Sequence, residues 1–417
     1  MSHFPAPLLH GIFFATLLGL CNTAATAQQK QKYTVAVFLY QGVELLDFAG
    51  PGEAFSATPD FNVYTVSVDG KEVLSQGFVT VKPQYAMADA PTPDIIVFPG
   101  GNVSATANDP KIAGWINTLA SGGTTVMSVC NGAIIVAGTG LLNGLTVTTH
   151  HNAIAHLRKM LPHSTVLEDA KYVDNGNIIT AAGVSSGIDG ALHVISRIKG
   201  RDVARSVAFY MEYNKWKPEE GMVVYKNEYL EKYKNGTTPG ANEKIPYEGE
   251  LKNLAQELLD NGKTRGAADV MEQAVKWYPW SGSSYNLLGK AYTRLGKPAP
   301  MDQDQFVQLI DSGKIDQALL VYDQTQKAFP GWLLFDEGTI GSEGSRLFRN
   351  QAYIDAVRIF SLNTRSFPQS WNAWDDLATA NLKAGNQPKA IEAYRRSLEL
   401  NPKNDNARAY LAQFASN

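Results

Sequence analysis

The rhythm of apolar and polar positions changes near residue 215. Before it, short apolar runs alternate with segments of helical spacing. The runs TVAVFLY (34–40), VYTVSV (63–68), DIIVFPGG (94–101) and TTVMSVC (124–130) read as strands. Several are apolar at consecutive positions, as in strands covered on both faces. Helices are expected at 47–56 and 109–121. In KYVDNGNIITA, Asn175-Gly176 separates two β-rich runs, a hairpin signal. SGIDGALHVISRIKG and RDVARSVAFYMEY read as closing helices. This alternation predicts an α/β three-layer sandwich with a mostly parallel sheet over residues 28–214.

Residues 215–250 are polar, with scattered Pro and Gly and several Tyr, and are expected to be a linker or a meandering connection. From residue 251 to 417 the pattern is helical and periodic. Trp374, Leu377, Ala378, Ala390, Tyr394 and Pro402 stand at the offsets of a helix–turn–helix repeat. Ala356, Phe360 and Pro368 precede the last three of these by 34 residues, and Ala318, Tyr322 and Pro330 mark an earlier unit. AADVMEQAVKWYP and YNLLGKAYTRLG extend the series, the latter without an obvious second helix. The units resemble tetratricopeptide repeats. Such an all-α array implies a concave face for a protein or peptide partner. No catalytic constellation stands out in this half.

A length of 417 residues is too long for one ordinary domain, and two are expected. With 37 basic and 40 acidic residues and a net charge of −3, the chain offers no basic block for nucleic acid or an acidic membrane surface. Residues 1–27 carry no charged side chain. They hold the apolar run LLHGIFFATLLGL, and ATA precedes Gln28. This reads as a signal peptide cleaved after Ala27, without the usual basic start. Cys21 suggests a lipoprotein as a second reading, although Leu20 stands where a small residue is wanted. No later segment has the length and apolarity of a membrane span. The mature chain is therefore expected to be periplasmic or secreted.

Export makes the cysteine count informative. Only Cys21 and Cys130 exist, so cleavage leaves a single thiol with no internal disulfide partner. Such a thiol is either buried and inert or functional. TTVMSVCNGAIIVAG places Cys130 between a strand and a helix, where helix N-terminal amides favour a thiolate. Gly132 leaves room for the turn, and Ala133 keeps the helix close. In VFPGG, Gly100 and Gly101 end a neighbouring strand and offer amides unobstructed by side chains; Asn131 offers another donor. Asp47, before the run Phe-Ala-Gly-Pro, either caps a helix or acts on the thiol. Glu44 and Glu53 read as surface positions. His150 follows a strand end and lies near the expected pocket. The spacing of His150, His151 and His156 does not put three imidazoles on one face, and no metal is expected. His163 and His193 read as structural.

LLDFAGPGEAF, DIIVFPGG, VCNGAIIVAGTGLLNGLTVTTHH and NIITAAGVSSGIDGALHVI together resemble the ThiJ/PfpI superfamily. This is a branch of the flavodoxin-like, class I glutamine amidotransferase-like fold. The resemblance is to its isonitrile hydratases and to the sensory domains of AraC-type regulators. It implies Cys130 as nucleophile and Asp47 as the acid that handles the proton and water. It implies Gly101 and Asn131 as backbone oxyanion donors, with Gly100 and His150 beside the substrate. No cofactor is implied. Cys130 would attack a small electrophilic carbon, as a lyase (hydratase) or a hydrolase. Asn131 departs from the Thr of such hydratases. The alternative is a non-catalytic periplasmic sensor or scaffold of small-molecule or redox type. No DNA-binding helix-turn-helix motif follows the domain, which argues against a DNA-binding regulator. The resemblance also implies a homodimer paired near the nucleophile.

Overall fold

Eight strands form one sheet in the order Met222–Val223, Tyr172–Asp174, Ile178–Ala181, Thr125–Val129, Ile95–Phe98, Tyr33–Phe38, Phe61–Ser67 and Tyr85–Ala86. Neighbours run parallel except Tyr172–Asp174 against Ile178–Ala181, the hairpin turned by Asn175-Gly176. The computed structural model describes residues 32–237 and 245–413. The expected signal peptide, Cys21 and the cleavage point lie outside the described residues.

The central strands are apolar throughout because helices cover both faces of the sheet. Ile95, Ile96, Val97 and Phe98 are all fully enclosed, as are Val126, Met127 and Val129. Asp109 caps the helix Pro110–Ser121, accepting from the Lys111 N–H, with Pro110 at the first helical position. Helix Leu45–Ser56 packs against helix Ser186–Lys199. Their approach depends on missing side chains: a Cβ at Gly50 would lie 2.9 Å from Ile188, and one at Gly187 would lie 3.2 Å from Pro51.

Within 215–250, the described residues are built into the molecule. Met222–Val223 extends the sheet edge, helix Glu228–Lys234 buries Tyr229 and Tyr233, and helix Glu248–Asp260 opens the helical arm.

In the arm, helix pairs follow one another: Glu248–Asp260 with Thr264–Trp277, Gln303–Asp311 with Ile315–Ala328, Glu337–Arg349 with Tyr353–Ser366, and Trp371–Lys383 with Gln387–Leu400. Gly282–Arg294 stands without an immediate second helix, as the sequence suggests. Ala318, Ala356 and Ala390 have no exposed surface, and Tyr322, Phe360 and Tyr394 are buried beside them. The repeat signature therefore marks where helices touch. No helix among the described residues is long and apolar enough to cross a membrane.

The described residues form a single compact unit. The seam between sheet domain and arm is charged and buried. Lys199, near the end of Ser186–Lys199, bonds Glu248 at 2.8 Å and lies 3.4 Å from Asp60. Lys252 donates to the Lys199 carbonyl (2.9 Å), Asp202 (3.2 Å) and the Ser283 hydroxyl (2.9 Å). Gly249 is pressed so closely that a Cβ there would lie 2.3 Å from the Gly200 nitrogen.

Candidate functional site

Cys130 follows strand Thr125–Val129 with φ of +59°, in the left-handed region that a residue with a side chain seldom occupies. The neighbouring chain holds it there. Its N–H donates to the carbonyls of Ala182 (2.8 Å) and Ala181 (3.1 Å), and its own carbonyl accepts from the Thr149 hydroxyl (2.8 Å). Gly132 begins the next helix, Gly132–Ala137, where a Cβ would come within 2.2 Å of the Phe98 carbonyl. The turn thus presents the thiol at the carboxyl edge of the sheet, 8% exposed.

Asp47 lies in the first turn of helix Leu45–Ser56 but makes no cap there. Pro51 has no N–H to return to the Asp47 carbonyl. The side chain is fully enclosed, and its Oδ2 accepts from the Gly100 N–H at 2.9 Å. Oδ1 completes no hydrogen bond of good geometry. Burial raises the Asp47 pKa from 3.8 to about 6, against the opposing pull of the Gly100 amide, the Cys130 thiol and the Val184 amide. An enclosed carboxyl held beside a thiol is an acid–base pair.

Electrostatics at Cys130 reverse one expectation. The Asn131 and Val184 N–H groups do stabilise negative charge on the sulfur, but burial and the adjacent Asp47 outweigh them and push the thiol up to about 12. The resting group is the thiol, not a thiolate prepared by the helix. Val184, also left-handed at φ +51°, was not foreseen as part of the site. Nor was Tyr40, which is buried, donates to the Pro99 carbonyl at 2.9 Å, and has its pKa raised by burial and then by Asp47 and Cys130. Its place at the carboxyl end of the first strand was the available signal.

Glu44 is not a plain surface residue. It is half-buried, its N–H donates to the Gly100 carbonyl, Gln76 donates to its carboxylate, and its charge acts on Asp47, Tyr40 and His150. Glu53 is exposed.

The glycine pair is arranged differently from the expectation that its amides face a substrate. The Gly100 N–H serves Asp47, and the Gly101 N–H donates to Asn131 Oδ1 at 2.8 Å. Asn131 Nδ2 returns a bond to the Gly101 carbonyl at 2.9 Å. Gly101 itself has φ of +121°, and a Cβ there would lie 2.3 Å from the Gly42 carbonyl. Both amides are spent on side chains, because the two loops close on each other.

His150 sits beside the elbow. A Cβ on Gly183 would lie 2.2 Å from its ring, and its Nδ1 accepts from the Asn152 N–H at 3.3 Å. Burial, then the neighbouring His151, whose tilted ring lies 4.0 Å away, lowers its pKa. His156 is exposed. Among the described residues, no three His, Cys, Asp or Glu side chains gather to hold a metal ion. His193 is structural: its Nε2 meets the fully enclosed Asp174 at 2.8 Å, and Arg197 binds the same carboxylate.

The DJ-1/PfpI family model matches residues 33–197, and tetratricopeptide repeat models match 252–299 and 371–414. The chain is 31% identical over 183 residues to an isonitrile hydratase of Pseudomonas putida, covering 43% of this chain and 78% of that protein. It is 26% identical over 175 residues to the HTH-type transcriptional regulator CdhR of Pseudomonas aeruginosa, covering 41% of this chain and 52% of the regulator. A crystal structure of a ThiJ/PfpI family protein from Pseudomonas syringae has a TM-score of 0.42 at 22% identity, covering 49% of this chain and 85% of that one.

Proposed function

Because the chain belongs to the DJ-1/PfpI family, with that domain at residues 33–197 and tetratricopeptide repeats after it, we propose that it is an exported enzyme whose Cys130 attacks a small electrophilic carbon. The observation that carries this reading is the enclosed Asp47 carboxyl beside a thiol held on a strained strand-to-helix turn. The repeats serve to dock a protein or peptide.

Above about pH 6 the resting pair is a carboxylate and a neutral thiol. As sulfur bonds to the substrate carbon, its proton passes to Asp47, so a free thiolate need not accumulate. With an isonitrile, Asp47 then returns that proton to the attacked carbon, giving a thioimidate. Asp47 deprotonates a water that adds to the same carbon. That proton goes to nitrogen, and the hydroxyl proton of the adduct passes through Asp47 to sulfur as the C–S bond breaks, leaving an N-substituted formamide and the free thiol. Atoms balance as isonitrile plus water.

The test is the pH dependence of Cys130 modification by iodoacetamide in the folded protein. In the wild type the rate should rise through about pH 6 as Asp47 ionises, and this limb should vanish in Asp47→Asn. A thiol that reacts only on unfolding would overturn the enzyme reading. A second reading, a small-molecule or redox sensor that uses the repeats as a scaffold, is favoured by the burial that keeps Cys130 protonated. Reaction without any Asp47-dependent limb would support it.

A further inference from the structure

We propose that Asn131 switches off the Gly101 amide as an oxyanion donor and so turns Cys130 away from acyl substrates, toward electrophiles whose adducts carry no oxyanion. The inference rests on the reading of Cys130 as a nucleophile and narrows its substrate class.

The geometry is a closed two-point clasp. Gly101 donates its N–H to Asn131 Oδ1 at 2.8 Å and receives Asn131 Nδ2 on its carbonyl at 2.9 Å. The clasp lies against the nucleophile. The point that a Gly100 Cβ would occupy is 2.3 Å from Asn131 Oδ1, 2.8 Å from Asp47 Oδ2 and 2.9 Å from Cys130 Cβ. Two acceptor oxygens, from Asn131 and Asp47, therefore converge on this loop beside the nucleophile and consume its donors at Gly100 and Gly101.

The remaining amides near the nucleophile, from Asn131 and Val184, act on the sulfur. Two amides thus remain to meet charge that develops on sulfur, whereas neither glycine amide remains to meet charge on a new oxygen. Acyl transfer needs the second, because an amide or ester passes through a tetrahedral oxyanion. Alkylation, or addition to an isonitrile carbon, needs only the first.

Two reactions of the mature full-length protein separate these demands. Iodoacetamide forms an S–C bond with loss of iodide and makes no oxyanion. p-Nitrophenyl acetate acylates sulfur through one: the thiol proton passes to Asp47, p-nitrophenolate leaves, and a thioester remains. Each rate is measured against a Cys130→Ser background, and the ratio of acylation to alkylation is the readout. Asn131→Ala and Asn131→Ser, which release the Gly101 N–H, should raise the ratio about tenfold, part of the 10²–10³ that one donor is worth in a complete oxyanion site. Asn131→Asp loses the bond to the Gly101 carbonyl but still accepts from the Gly101 N–H, and more strongly as a carboxylate, so the amide stays engaged and the ratio should not rise above the wild-type value. An unchanged ratio in both releasing variants, with alkylation intact, would overturn the inference. An equal rise in Asn131→Asp would do the same. Absence of alkylation in the folded wild type would instead overturn the nucleophile reading.

Discussion

Asp47 shows what the candidate site costs the fold. Its carboxyl is raised from 3.8 to about 6 mainly by burial, so the folded state binds this proton more tightly than the unfolded chain does. Between those two pH values the unfolded chain ionises first, and stability falls as pH rises. Asparagine can still accept from the Gly100 N–H and never ionises. Asp47→Asn should therefore be more stable than the wild type at pH 7, by about 2–3 kcal/mol, while losing the Asp47-dependent reactivity. Below pH 4 the two proteins should unfold at the same denaturant concentration. A variant less stable at both pH values would show that the carboxylate is held for structure. The sequence disclosed Cys130 and Asp47 through their neighbours. It did not disclose the engaged amides, which depend on Asn131 meeting a loop 30 residues away.

Among the elements, helix Ser186–Lys199 has a double attachment. Its first turns pack against Leu45–Ser56 near the thiol, and its last turn enters the charged seam with the arm. Glu248→Ala should cost about 3–5 kcal/mol, since it leaves a buried ammonium short of its nearest partner. Lys199→Met combined with Glu248→Leu should recover most of that loss in a double-mutant cycle read by chemical denaturation. Simple additivity of the two single losses would mean that the pair is not coupled. Apolar runs made the central strands legible, and the Ala, aromatic and Pro positions made the repeats legible, because both patterns follow directly from close packing. The strand Met222–Val223 escaped notice, being two residues long among polar neighbours. The seam escaped for another reason: Lys199, Glu248 and Lys252 look in sequence like ordinary solvated charges on helices. Their burial exists only once two distant helices meet.

For the whole molecule, the seam implies joint unfolding. Calorimetry of the protein should show one transition, and Gly249→Val, whose Cβ would press into the Gly200 backbone, should divide it into two. Two transitions in the wild type would mean that the seam contributes little to cooperativity. The close fit at Gly249 also bears on how such a chain can be rearranged by recombination. An arm joined by a tether could be exchanged for another by crossing over anywhere in the tether. Here a foreign arm would bring an ordinary side chain against Gly200 and leave Lys199 without its Glu248 partner. Only a crossover that carries the block from Lys199 to Lys252 intact would transmit a working junction, so this pairing of domains is inherited as one piece.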